Sequence, residues 1–195
     1  RACHDAARAL EREGAVLVPF ESALTPFAAP IGYLCLGLES CSALQYPLHN
    51  RREDLGDDVV VSVSALSHVP AIDYINAQKL RTGLRHEMAR LFQDLDLVAF
   101  PTTKTTALQL SSVDWENGFL DSRAIESMCR FTFLANLTGL PASSAPVGLD
   151  RDGLPIGFQL LGDAWDEATV LAATAHLERI EVARVERPRV AVDLR

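Results

Sequence analysis

Lysine is scarce in this chain. Of its 18 basic residues only Lys79 and Lys104 are lysine, and 26 acidic residues leave a net charge of −8. No basic stripe with interleaved aromatics breaks that acidity, so the segment repels phosphate backbones and nucleic acid is not an expected partner. No run approaches the ~20 apolar residues that a bilayer span requires, so no membrane partner is expected either. Cysteine is sparse and scattered. Cys3, Cys35, Cys41 and Cys129 form no C-x-x-C pair and have no histidine at ligand spacing, which argues against a metal. Reduced, buried thiols in a cytoplasmic protein are the expectation. No leader with charged and then apolar residues follows Arg1, so a trimmed or internal boundary is expected there. Internal repeats and low-complexity linkers are also missing. What remains is a globular composition, 195 residues with 48% hydrophobic and 23% charged, enough for one domain or a large piece of one.

The patterning predicts alternating helix and strand, hence an α/β fold with a mixed, mostly parallel sheet covered by helices. Ala2, Ala6 and Leu10 recur at helical spacing over residues 2–13, and Gly14 supplies a stop. The short apolar run Ala15 to Val18, ended by Pro19, suits a buried strand. A helix is expected from about Pro30 to Leu44, with Leu34, Leu38 and Cys41 on one stripe and Pro47 ending it. Val59-Val60-Val61 fits a strand or a buried helix equally. Ser67 is the expected N-cap of the next helix, with Pro70 near its first turn. Its apolar face would be Ile72, Tyr74, Ile75, Leu80, Leu84, Met88 and Leu91. A strand Leu95–Phe100 follows and stops at Pro101. Residues 102–118 read as a long polar loop. A helix from about Asp121 to Leu134 precedes a loop Asn136–Pro141 and an extended segment Ala142–Val147. Asp150-Arg151-Asp152-Gly153 reads as a hairpin turn, Pro155–Leu161 as the returning strand, and Asp166–Ile180 as a closing helix capped by Asp163 or Asp166. Residues 1–184 form the expected domain and 185–195 a polar tail carrying Pro188, either a surface strand or disordered.

Three segments carry a resemblance. A-I-D-Y-I-N-A-Q-K-L-R-T-G-L-R-H-E-M-A-R-L-F-Q-D-L-D-L-V-A-F-P-T-T (71–103), the Asn136–Gly148 loop and strand, and G-L-P-I-G-F-Q-L-L-G-D-A-W-D-E-A-T-V-L (153–171) are similar, in order and spacing, to the closing part of the amidase signature family. These are serine hydrolases that cut carboxamide C–N bonds with a Lys–Ser–Ser triad, the bridging serine held on a cis peptide. A serine hydroxyl needs a positioned base, and a lysine serves as one only when its pKa is lowered. The resemblance implies that these parts lie upstream. The family's Gly/Ser-rich stretch is absent from the chain, neither lysine matches the catalytic one, and no catalytic residue is expected here. It implies the C-terminal portion of the amidase signature fold, with no metal or organic cofactor. The expected partners are the N-terminal portion of the same enzyme, a small-molecule amide and, left open, a second copy in a homodimer. A glutamine amidotransferase component of the A-subunit type and a non-catalytic binding or scaffold module are the competing functions.

Candidate pocket residues come from two places. Thr102 and Thr103 follow the C-terminal end of a strand, where ligand sites gather in open α/β sheets. The resemblance puts the region 119–136 near the acyl pocket, which brings in Cys129, Phe131, Phe133 and Asn136 as candidates or as ordinary core. Ser143-Ser144 imitates a nucleophile pair, but the resemblance makes it a core strand of small residues. Asn136-Leu137-Thr138 is a formal sequon, read instead as an Asn in a turn. The five histidines have solvated or structural roles. By the same resemblance, glutamine-using members carry an Asp near the place of Cys129 and an Arg pair where this chain has Gly56-Asp57-Asp58-Val59-Val60-Val61. A substrate carboxylate would lack that fork, which favours a general amidase.

Overall fold

A computed structural model describes residues 1–118 and 121–185. Helix α1 (Ala2–Arg12) opens the chain, and Gly14, at φ +104°, takes it out of the helix. Its buried positions are Ala6 and Ala9. Side chains this small let the helix lie close against the sheet.

Residues 15–20 are not a strand. Val16 is 86% exposed, and no described strand runs beside it to take up its backbone groups. An apolar run becomes a strand only by pairing. Phe20 then turns in toward the core. A 3-10 turn (Thr25–Phe27) leads into α2 (Ala28–Ala43). The buried stripe of α2 is Ala28, Ile31, Gly32 and Cys35, one side of the expected stripe of Leu34, Leu38 and Cys41. Pro47 does not end α2. Leu44 does, and Pro47 sits in the first turn of α3 (Gln45–Asn50), where its missing N–H is no loss.

The valine run resolves as helix α4 (Asp57–Leu66). Asp57 and Asp58 in its first turn complement the helix dipole. Ser67 is the C-cap of α4 rather than the N-cap of the next helix, its hydroxyl donating to the Ser64 carbonyl at 2.7 Å. Pro70 caps α5 (Ala71–Leu91). Ala77, Leu84 and Met88 of α5 are buried, while Ile72, Ile75 and Leu80 of the expected apolar face lie exposed.

Strand β1 (Leu97–Pro101) comes next, and the loop after it contains a short helix α6 (Ser112–Asn117). The helix expected over 121–134 breaks at Arg130–Thr132 into α7 (Ser122–Cys129) and α8 (Phe133–Thr138), and α8 takes in three residues expected as loop, Asn136 among them. Strands β2 (Ala142–Leu149) and β3 (Pro155–Gly162) form the hairpin, and α9 (Glu167–Arg179) follows it, capped by Asp166. Of the expected tail, 186–195 with Pro188 lie outside the described residues.

The sheet has the order β1-β3-β2 and both pairings are antiparallel. The parallel pairings expected of it are therefore not found among the described residues. A hairpin joins β2 to β3, and short turns favour antiparallel neighbours. Phe158 to Leu161 of the central strand are all buried, as a strand covered on both faces requires. The alternation of the strand splits this run. Phe158 and Leu160 meet Ala6, Ala145 and Leu177 under α1 and α9. Leu161 and Val98 meet α2, α5 and α8. The result is three layers.

Candidate substrate-binding site

The α2/α5/α8 layer is not filled to its edge. Where β1 ends, a cavity of about 510 Å³ opens between Phe20, the start of α2, Phe100 and the α7–α8 break. Local sequence builds each wall. Gly32 lets the α8 ring of Phe133 lie on α2, because a Cβ there would come within 2.0 Å of that ring. Phe133 in turn meets Tyr33 edge-on, with centroids 4.8 Å apart at 67°, a favoured aromatic geometry. Phe100 leans on Phe131 at 6.2 Å. The break after Cys129 turns Arg130 and Phe131 toward the cavity, with Leu134 behind them.

Two features of this wall were not foreseen from sequence. One is Tyr33. Its hydroxyl is buried against the Cys129 thiol without a hydrogen bond of ordinary geometry, and its pKa is pushed up to about 12, first by burial and then by the neighbouring Cys129 and Glu126. The phenol stays neutral. The other is the charged end of the cavity. Glu126 accepts from Arg130 at 2.9 Å and from Lys104 at 3.4 Å. All three side chains are about a third to a half exposed, so each pair is weak in stability terms. Their geometric effect is larger, since the Lys104 N–H also donates to the Ser127 carbonyl at 2.9 Å and ties the loop after β1 to α7. A single cation inside the run Met128–Leu134 was the available signal for Arg130.

Phe131 lines the cavity, and Cys129 abuts Tyr33 at its side. Phe133 is 8% exposed and belongs to the core behind the wall. Asn136 is exposed on α8, outside the lining, while Thr138 of the same sequon is buried with its hydroxyl on the Leu134 carbonyl at 2.6 Å. Thr103 lies on a second cleft of about 400 Å³ on the far side of Phe100, formed with Cys3, His4 and the 104–106 loop. Its hydroxyl donates to the Thr105 carbonyl at 2.6 Å. Thr102 bridges to Ser144, hydroxyl to hydroxyl at 2.6 Å, across Gly157. Ser143 pairs in the same way with Thr174 of α9 at 2.6 Å. Neither serine is hydrogen-bonded to a base, and both join elements of the fold. Lys104 is held by Glu126, and Lys79 is exposed on α5. His49 and His68 each place Nδ1 on a carbonyl one turn back, Gln45 and Ser64. Among the described residues no group of three or more His, Cys, Asp or Glu is placed to hold a metal ion, and no single helix is long and apolar enough to cross a membrane.

The layered fold and its closing hairpin are those of an α/β protein with a cavity beside the end of its edge strand. The family described as Amidase matches residues 1–171, and the chain belongs to the amidase signature family. It is 36% identical over 163 residues to a fatty acid amide hydrolase of Arabidopsis thaliana, covering 83% of this chain and 26% of the relative. It is 30% identical over 209 residues to the A subunit of the glutamyl-tRNA(Gln) amidotransferase of Acinetobacter baylyi, covering 93% and 41%. Its fold matches that of a bacterial aryl acylamidase with a TM-score of 0.76, at 22% identity, over 91% of this chain and 39% of that one. The chain thus spans about a quarter to two fifths of the length of these relatives.

Proposed function

We propose that the complete protein hydrolyses a carboxamide through an acyl-enzyme, and that residues 1–195 form one wall of its acyl pocket. On this reading the nucleophilic serine and its lysine base are supplied by polypeptide preceding Arg1, and residues 1–195 alone are inactive. The observation that carries it is the apolar cavity beside the end of β1, in a chain of this family. A cavity of this size suits a small-molecule ligand. Its aromatic walls would exclude water from the acyl group and fix its orientation against the attacking hydroxyl. Support for an upstream partner comes from the exposed apolar run Val16 to Val18, whose backbone groups have no partner among the described residues.

A fluorophosphonate probe and a panel of amides test this. The full-length protein is expected to label and to turn over amides, and residues 1–195 alone to do neither. A folded full-length protein that neither labels nor hydrolyses any amide would leave a binding or scaffold role. The likeness to the A subunit of an amidotransferase over 93% of the chain keeps a second reading in view. Glutamine-dependent ammonia transfer to a charged acceptor, with little hydrolysis of apolar amides, would favour it.

A further inference from the structure

Arg130 and Glu126 are the two charged residues among those lining the cavity. They sit one helical turn apart at its solvent end, paired at 2.9 Å. Glu126 is also engaged by Lys104, which lines the neighbouring cleft and not this cavity, so the one carboxylate of the lining answers two cations. One guanidinium nitrogen of Arg130 is used on Glu126, and its remaining N–H groups have no acceptor among the described residues. The rest of the lining is apolar or aromatic apart from Thr25, and the Tyr33 hydroxyl is buried and uncharged. A ligand that matches this distribution has an apolar body and an anionic end. An ammonium end would meet the Arg130 guanidinium, and a wholly neutral chain would leave its free N–H groups unused.

We propose that Arg130 is a specificity-determining residue, selecting amides whose apolar acyl chain ends in a carboxylate. This rests on the amidase reading above. The free edge of the guanidinium offers a carboxylate two parallel N–H donors, and Lys104 adds a second positive charge nearby.

The test uses the full-length protein and two amides of equal chain length, the monoamide of hexanedioic acid and hexanamide. The kcat/KM ratio is expected to favour the carboxylate by about tenfold or more, and to shrink between about 50 and 500 mM salt as screening shortens the reach of the rim charges. Arg130→Gln is expected to reduce the ratio by about tenfold, Arg130→Lys to keep part of it, and Lys104→Gln to lower it less. A ratio that favours hexanamide, ignores salt or survives Arg130→Gln overturns the proposal. If neither amide is turned over, the amidase reading fails separately. Calorimetric affinities of the same two compounds for the wild-type protein and for Arg130→Gln then decide the role of Arg130. A carboxylate preference lost in the variant supports it. Equal affinities, or no binding, sink it.

Discussion

The two faces of the sheet are built to different standards. Around Leu177, between α9 and the sheet, the packing is closed, and the cleft at Cys3 and His4 lies at the far edge of α1. Small residues, Ala6, Ala145 and Ala183, bring the helices down onto Phe158 and Leu160, and Leu177 is wholly buried. Under α2, α5 and α8 the packing is as dense at Leu84, Met88 and Leu161, but it gives out where Tyr33, Phe100 and Phe131 surround open space. The closed face keeps the hairpin and α9 together. The open face sets rigid aromatic groups around a cavity and buries a phenol hydroxyl with no better neighbour than a thiol. Stability is expected to follow the first face and selectivity the second, and substitutions on each can break that division.

The largest effect should come from the closed face. Leu177→Ala removes a side chain with 0% exposure and leaves a hole that α9 and the sheet cannot both close. A loss of about 2–5 kcal/mol is expected in urea unfolding of the full-length protein, with the substrate ratio of the native fraction retained. A loss under about 1 kcal/mol would mean that α9 is loosely held. On the open face the most sensitive backbone position is Gly32. Gly32→Ala puts a methyl into the Phe133 ring, and overpacking of about 1–3 kcal/mol is expected. Because Phe133 carries Tyr33, the same substitution should also shift selectivity. An unchanged substrate profile would separate the wall from the core behind it.

Phe131→Ala should cost less stability than Leu177→Ala, since Phe131 is only half-buried. Its expected signature is kinetic. kcat/KM for long or aromatic acyl amides should fall on the order of tenfold relative to acetamide. A uniform fall across acyl lengths would argue that Phe131 supports the fold rather than the substrate.

The same division explains what could be read from the chain. Elements governed by their own residues were legible. The hairpin follows from Asp150, whose carboxylate accepts the N–H groups of Asp152 and Leu154 at 2.9 Å each. Helix α9 follows from Asp166, which caps it at Thr169. Elements that depend on a distant partner were not. Ala15 to Val18 has strand composition, but strand is a pairing and not a composition. Pro47 and Ser67 each serve the neighbouring helix, a choice that depends on where α2 and α4 stop. The valine run became a helix because α4 packs on α2, with Leu66 over Gly37. At the candidate site, Phe131 could be named in advance because the resemblance puts the region 119–136 beside the acyl pocket. Tyr33 and Arg130 could not, because one is placed by a glycine contact from α8 and the other by a helix break.

The smallest effect concerns the loop that separates the two clefts. Thr106 Oγ1 donates to the Asp150 carboxylate at 2.5 Å, tying the segment after β1 to the turn of the hairpin. That bond is the chief reason that the Asp150 pKa lies below its ordinary value of 3.8, with the Leu154 N–H next. A depressed folded-state pKa means that the ionised carboxylate is the form the native state prefers. Its contribution is complete above the unfolded value and disappears as pH falls through the lower folded one. Thr106→Val should therefore lower Tm slightly at pH 7 and at pH 5, and the gap to wild type should close below about pH 4 as Asp150 takes up its proton. Thermal scans of both proteins from pH 3 to 7 measure this. A gap that persists undiminished at the acid end would show that the loop is anchored through Lys104 and α7 instead. The two clefts beside Phe100 would then be shaped from the helix side, not from the hairpin.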